Sequence, residues 1–86
     1  MDVETLWSEI VKRQGEPFYT AKKLPFTYVV KGGELFVDRR KNSITKSTFR
    51  YALEKIQTDP TVNGPKKLGV FGAPYVWGIV SAIKNS

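Results

Sequence analysis

Residues 26–38 read Phe-Thr-Tyr-Val-Val-Lys-Gly-Gly-Glu-Leu-Phe-Val-Asp, and this stretch decides the fold. Two runs of aromatic and β-branched residues flank a Gly-Gly pair, which is typical of antiparallel strands joined by a two-residue turn with positive φ. The turn sets the register, so Val30 is expected opposite Leu35. Lys31 then lies opposite Glu34, which is a favourable cross-strand pair of charges.

One face of this hairpin is apolar and forms the predicted core face, made of Phe26, Tyr28, Val30, Leu35 and Val37. A further strand is predicted over residues 17–21, with residues 22–25 as the loop that follows it. In that register Tyr19 and Ala21 join the core face. The opposite face then carries a row of three apolar side chains, Phe18, Val29 and Phe36. An open row would suit base stacking, but burial under a helix is favoured because three helices are available for a small sheet.

The first helix is predicted from the apolar stripe of residues 3–11, with Asp2 as its cap and Gly15 just past its end. The second begins near Thr45 or Lys46, where Ile44 and Phe49 suit a hydrophobic staple around a Thr45 cap.

The last helix is predicted from Pro74 to about Ile83 or Lys84, because Pro suits the first helical position. Gly78 inside it costs about 1 kcal/mol relative to Ala, so we expect another element to approach closely there. The connection over residues 58–73 is long, and a short helical turn is predicted near Pro65–Leu68. It is also far longer than the turn of a helix-turn-helix motif.

These elements predict an α+β fold with a three-stranded antiparallel sheet and three helices, in the order α-β-β-β-α-α. The chain has 86 residues, which is one domain over residues 1–86. Helix 1 and the last helix are expected to share the core with Trp7, Tyr28 and Phe49.

The positive charge is concentrated in the middle of the chain. Residues 22–50 hold eight basic and two acidic residues, which accounts for the whole formal net charge of +6. Arg39–Lys41 precede the second helix, whose N-terminal amides are an expected anion site. Positive charge at Lys46 and Arg50 opposes the helix dipole, and a bound phosphate would offset that cost. The candidate nucleic-acid-binding residues are Lys22, Lys23, Lys31, Arg39, Arg40, Lys41, Lys46 and Arg50.

No catalytic residue, cofactor site or metal site is predicted. The chain has neither Cys nor His, which removes the usual ligands of structural zinc and the commonest general base. Ser43, Ser47 and Thr48 have no His to activate them, so the domain is not expected to be an enzyme. The lack of cysteine favours a cytoplasmic setting, and no apolar stretch is long enough for a membrane partner.

Four strings taken together resemble a small bacterial domain family, found alone and within larger polypeptides of DNA-processing type. They are F-Y-T at 18–20, P-F-T-Y at 25–28, R-K-N-S-I-T-K-S-T-F at 40–49 and G-A-P-Y-V-W at 72–77. The family has no established activity, so the resemblance implies no catalytic or binding residue, although it favours nucleic acid as partner. The chain departs from the pattern at Lys23-Leu24, where the family implies a glycine in the first hairpin turn.

The leading hypothesis is therefore non-catalytic nucleic-acid binding through the Lys/Arg surface. The alternative is a protein-interaction or regulatory module for an acidic partner, marked by an exposed apolar patch beside a basic rim. A plain solvated face remains the third interpretation of the charge. The first hypothesis depends on whether the eight basic side chains lie on one face of the folded domain.

Overall fold

The computed structural model describes all residues, 1–86. Its helices are α1 (Val3–Lys12), α2 (Lys46–Thr58) and α3 (Ala73–Lys84), with a single 3₁₀ turn at Pro65–Lys67. Its strands are β1 (Phe18–Tyr19), β2 (Pro25–Phe26), β3 (Tyr28–Lys31), β4 (Glu34–Val37) and β5 (Ile44–Thr45). The predicted α+β class, the three helices and the overall element order are confirmed.

The β3–β4 hairpin has the predicted register. Val30 lies opposite Leu35, and Lys31 lies opposite Glu34. Gly32 has a φ of +62°, as a tight turn between twisted strands requires at its first central residue. Because the hairpin signal is local, the sequence defines this part of the sheet fully.

The grouping of the strands differs from the prediction. β1 pairs only with β2, whereas the three-stranded antiparallel sheet has the order β3-β4-β5. The regular strand pairing is interrupted at Thr27, between β2 and β3. There Asp38 accepts a hydrogen bond from the Thr27 amide and donates its own amide to the Thr27 carbonyl. This exchange joins the small β1–β2 hairpin to the larger sheet.

The predicted row of Phe18, Val29 and Phe36 is wrong. Phe18 pairs directly with Phe26, and residues directly opposite each other share a face, so Phe18 is buried on the core side at 4% exposure. Tyr19, predicted inside, is 53% exposed. The first turn starts earlier than the predicted loop, and a one-residue change in register turns every side chain over.

The core lies between the helices and the inner faces of the strands. It holds sixteen buried apolar residues drawn from every helix and strand. Trp7 of α1 packs edge-on against Phe49 of α2, with ring centroids 5.8 Å apart. Tyr28 is buried and donates its hydroxyl to the carbonyl of Ile10, 2.7 Å away. The three expected core aromatics thus connect α1, α2 and the sheet.

Gly78 explains how the β1–β2 hairpin reaches α3. A Cβ atom at this position would come closer than 3.0 Å to the carbonyl oxygen of Tyr19. The predicted close approach is therefore confirmed, and its partner is the backbone of β1. This contact holds the hairpin flat against α3.

The second helix begins as predicted. Thr45 caps it by accepting a hydrogen bond from the Thr48 amide, and Ile44 and Phe49 on either side are both buried. The third begins at Ala73, one residue before the predicted start at Pro74. The predicted helical turn in the long connection is the 3₁₀ turn, and it carries Leu68 into the core.

Candidate functional site

The eight candidate basic residues do not converge on one face. Four of them belong to the region where the β1–β2 hairpin lies against the start of α3. Lys22 lines a cavity there, and Lys23 follows it in the same turn. Arg39 donates to the carbonyl of Pro25, and Arg40 lies 5.9 Å from the ring centroid of Tyr75, which lines the same cavity. The remaining four, Lys31, Lys41, Lys46 and Arg50, are distributed over the hairpin tip, the loop before β5 and the exposed side of α2. Only some of the predicted residues therefore belong to the region around this cavity.

Lys46 is neutralised within the domain. Its ammonium lies 2.8 Å and 2.9 Å from the two carboxylate oxygens of Glu4 on α1. Arg50 lies further along α2 in a hollow that also holds Asp2 and Glu54. The sequence interpretation assigned Lys46 and Arg50 to a phosphate, but Glu4 of α1 supplies the compensating charge for Lys46, whereas Arg50 forms no ion pair. Sequence spacing does not indicate this ion pair, because Glu4 and Lys46 are 42 positions apart.

The predicted anion site at the start of α2 is also mostly occupied by the protein. The Lys46 amide donates to the carbonyl of Gly33, at 2.9 Å, and the Thr48 amide donates to the Thr45 hydroxyl. A helix start attracts anions through its free amides. With these two already bonded, this end offers little to a phosphate.

Lys31 keeps a free ammonium at the tip of the β3–β4 hairpin. Its cross-strand neighbour Glu34 accepts a hydrogen bond from the Ser43 hydroxyl instead of forming an ion pair with it. Lys41 is exposed in the loop that leads to β5. Neither residue lines the cavity at α3.

The cavity is a groove between the tip of the β1–β2 hairpin and the entry to α3. The groove has a volume of about 250 Å³. Its lining is mostly apolar and contains no acidic residue: Thr20, Ala21, Lys22, Leu24, Pro65, Pro74 and Tyr75. We call this cavity, together with Lys22, Lys23, Arg39 and Arg40 around it, the basic groove.

Arg39 and Arg40 are fixed in place by different contacts. The Arg39 Nε donates to the carbonyl of Pro25, at 2.7 Å, next to the lining residue Leu24. The Arg40 guanidinium lies over the ring of Phe71, 4.3 Å from its centroid, and 5.9 Å from the centroid of Tyr75. Arg stacked on an aromatic ring keeps its N–H groups free for a planar or tetrahedral anion. Both arginines are therefore ordered and still exposed.

No carboxylate neutralises the basic groove. The three ion pairs of the protein join Lys12 and Arg13 to Glu9, and Lys46 to Glu4. Asp38 is next to Arg39 in sequence, but its carboxylate accepts the Thr27 amide. The groove thus concentrates positive charge that the rest of the domain does not balance.

The turn that carries Lys22 and Lys23 has an unusual backbone. Lys23 has a φ of +68° and is the only residue other than glycine in the left-handed region. The turn is closed by bonds from the Lys23 amide to the Thr20 carbonyl and from the Leu24 amide to the Thr20 hydroxyl. A φ in this region favours glycine over a residue with a side chain.

Sequence reasoning missed the apolar part of the groove. Leu24 and Phe71 are large apolar residues left 49% and 48% exposed. Pro65 and Pro74 were interpreted as helix-entry residues. Tyr75 does pack edge-on against Phe26, with centroids 5.1 Å apart, while another part of it lines the groove. Lys66, exposed directly after Pro65, adds charge at the same end.

The outer face of the β3–β4 hairpin is open. Val29 is 49% exposed, Phe36 is half-buried, and a shallow hollow between them also contains Asp38. Because Phe18 lies on the core side, this face lacks the predicted row of three apolar side chains.

The shifted pKa values belong to structural groups outside the groove. Hydrogen bonds from Thr5 lower the pKa of Asp2, those from Lys12 and Arg13 lower that of Glu9, and those from Thr61 lower that of Asp59. Burial raises the pKa of Tyr28. No group of three or more acidic side chains is arranged to hold a metal ion. None of the helices combines the length and apolar character that crossing a membrane requires.

Comparison with protein-family models, with curated proteins and with solved structures found no match to this chain.

Proposed function

We propose that this domain binds nucleic acid without catalysing a reaction, and that it does so through the basic groove. The observation that carries the proposal is a cavity with Lys22 and no acidic residue in its lining, flanked by Arg40, which lies 5.9 Å from the ring centroid of the lining residue Tyr75. Lys23 follows Lys22 in the same turn, and Arg39 is hydrogen-bonded to Pro25, next to the lining residue Leu24. A phosphate chain offers regularly spaced negative charge, and its binding is strengthened by the release of condensed counterions.

The contacts that fix the two arginine side chains support the same function. Their contacts with Pro25 and Phe71 hold the guanidinium groups in place before a ligand arrives. A preorganised side chain loses less entropy on binding than a free one. Lys22 in the lining and Lys23 next to it, both exposed on the hairpin turn, add two further positive charges.

The experiment is a salt titration with fluorescently labelled DNA and RNA oligonucleotides, followed by anisotropy. Each phosphate contact changes the slope of log K against log[salt] by about −0.7 for single strands, so four contacts predict a slope of roughly −3. The groove variant carries four substitutions, Lys22→Ala, Lys23→Ala, Arg39→Ala and Arg40→Ala. We expect it to lose most of both the affinity and the slope.

A charge-matched control removes four exposed basic residues that do not line the groove, namely Lys12, Lys31, Arg50 and Lys84. We expect this control variant to keep most of the affinity. The proposal fails if the parent protein does not bind at low salt, or if both variants lose affinity equally. Circular dichroism on each variant confirms that the fold is intact.

A further inference from the structure

We infer that the basic groove receives an unpaired base, so that the ligand of this domain is single-stranded nucleic acid. This inference rests on the proposed function and names its substrate class. It follows from the shape and the apolar lining of the groove, which the charge alone does not explain.

The cavity is small, concave and lined by rings and apolar side chains. Its volume of about 250 Å³ lies below the ~300–1,000 Å³ of pockets that take drug-sized molecules, so it suits one ring system. Leu24, Pro65, Pro74 and Tyr75 provide flat or apolar contact surface. Thr20 and Lys22 are the polar groups within reach of a base edge. Unpaired bases are bound in this way, by stacking on aromatic and apolar side chains.

A phosphate site lies directly beside this cavity. Tyr75 lines the groove and is also 5.9 Å from the Arg40 guanidinium, which stacks on Phe71. A phosphate held by Arg40 therefore places its neighbouring base next to Tyr75. The exposed ring of Phe71 extends the same surface beyond the groove.

The surface offers no element suited to sequence readout of a duplex. Sequence readout in duplex DNA uses a helix or a two-stranded ribbon that enters the major groove. The β1–β2 hairpin has only two residues in each strand and lies flat against α3 at Gly78. The start of α2 is occupied by its contacts with Glu4 and Gly33. No element therefore protrudes where the positive charge is.

The test compares three ligands of equal length: single-stranded oligothymidine, the same strand with an abasic sugar at every position, and a duplex. The first two carry the same phosphates, so any difference between them comes from the bases. We expect oligothymidine to bind on the order of tenfold more tightly than the abasic strand, as stacking of one base implies. It should also bind more tightly than the duplex.

Leu24→Ala isolates the groove, and Val29→Ala is its control because both side chains are 49% exposed. Leu24→Ala should reduce binding of oligothymidine several-fold without changing the abasic strand, and Val29→Ala should change neither. Equal binding of the two strands, or tighter binding of the duplex, overturns the inference while leaving the proposed function intact. Absence of binding to all three overturns the proposed function itself. Tighter binding of polyglutamate than of oligothymidine overturns both in favour of an acidic protein partner.

Discussion

Replacing Gly78 by Ala tests the contact that holds the β1–β2 hairpin on α3. The added Cβ would lie closer than 3.0 Å to the Tyr19 carbonyl oxygen and 3.2 Å from its carbonyl carbon. Alanine favours a helix by about 1 kcal/mol over glycine, which works against the clash. Overpacking a filled site typically costs 1–3 kcal/mol, and here the obstacle is backbone that no side-chain rotation can move.

The clash should outweigh the helix propensity. If the hairpin lifts, Phe18 and Phe26, now almost fully buried, lose packing as well. We therefore expect Gly78→Ala to lower the free energy of unfolding by about 1–2 kcal/mol, which is roughly 5–15 °C in Tm for a domain of this size. Because the hairpin forms one wall of the basic groove, nucleic-acid affinity should fall too.

The assay is urea unfolding followed by the fluorescence of the two tryptophans, Trp7 and Trp77. Gly64→Ala is the control, because Gly64 has extended backbone and nothing within 4 Å of an added Cβ. The control should be neutral or slightly stabilising. If Gly78→Ala proves as stable as the parent, the close packing of β1 on α3 is not as described.

Two further substitutions test local features of the fold. Lys23→Gly should raise the free energy of unfolding by about 0.5 kcal/mol, because relief of left-handed strain exceeds the entropy cost of glycine. The control Lys22→Gly should lower the free energy of unfolding. A lower free energy of unfolding for Lys23→Gly than for Lys22→Gly would refute the turn geometry. Tyr28→Phe should cost about 1 kcal/mol by removing the hydroxyl bond to the Ile10 carbonyl. Burial keeps Tyr28 neutral in the folded protein above its ordinary pKa of 10.0, so its stabilising contribution is present below pH 10 and is lost as pH rises further. The free energy of unfolding, measured from denaturant curves between pH 8 and 11, should therefore fall less steeply with rising pH for Tyr28→Phe than for the exposed control Tyr51→Phe. Equal slopes would contradict this assignment.

The parts of the fold with local signals were predictable. The Gly-Gly turn set the register of β3 and β4, and Thr45 marked the start of α2. Gly78 indicated that another element packs closely against α3. Each signal depends on residues only a few positions apart, where backbone preference and side-chain spacing decide the structure.

The missed features depend on non-local or strained structure. The face of Phe18 depended on a turn whose left-handed residue is Lys23, a residue type that gives no sign of positive φ. β5 has only two residues, too few for an alternating pattern. The basic groove joins Leu24 to Pro65 and Pro74, and no spacing in the sequence indicates that they meet.

The positions of the candidate basic residues in the fold could be foreseen only in part, for the same reason. Arg39 and Arg40 were singled out together with Lys41, and in the structure Arg40 lies near Tyr75, which lines the same cavity as Lys22. The pairing of Lys46 with Glu4 required knowledge of how α1 packs on α2. Net charge by segment located the region but not the face.

The most direct test of the central claim is amide chemical-shift mapping of the isotope-labelled domain during titration with a short single-stranded oligonucleotide. The basic groove predicts the largest changes at residues 20–25, 38–41 and 65–75, with α1 and the first turns of α2 little affected. Changes centred on residues 46–50 and α1, with the hairpin and the start of α3 unmoved, would contradict the account.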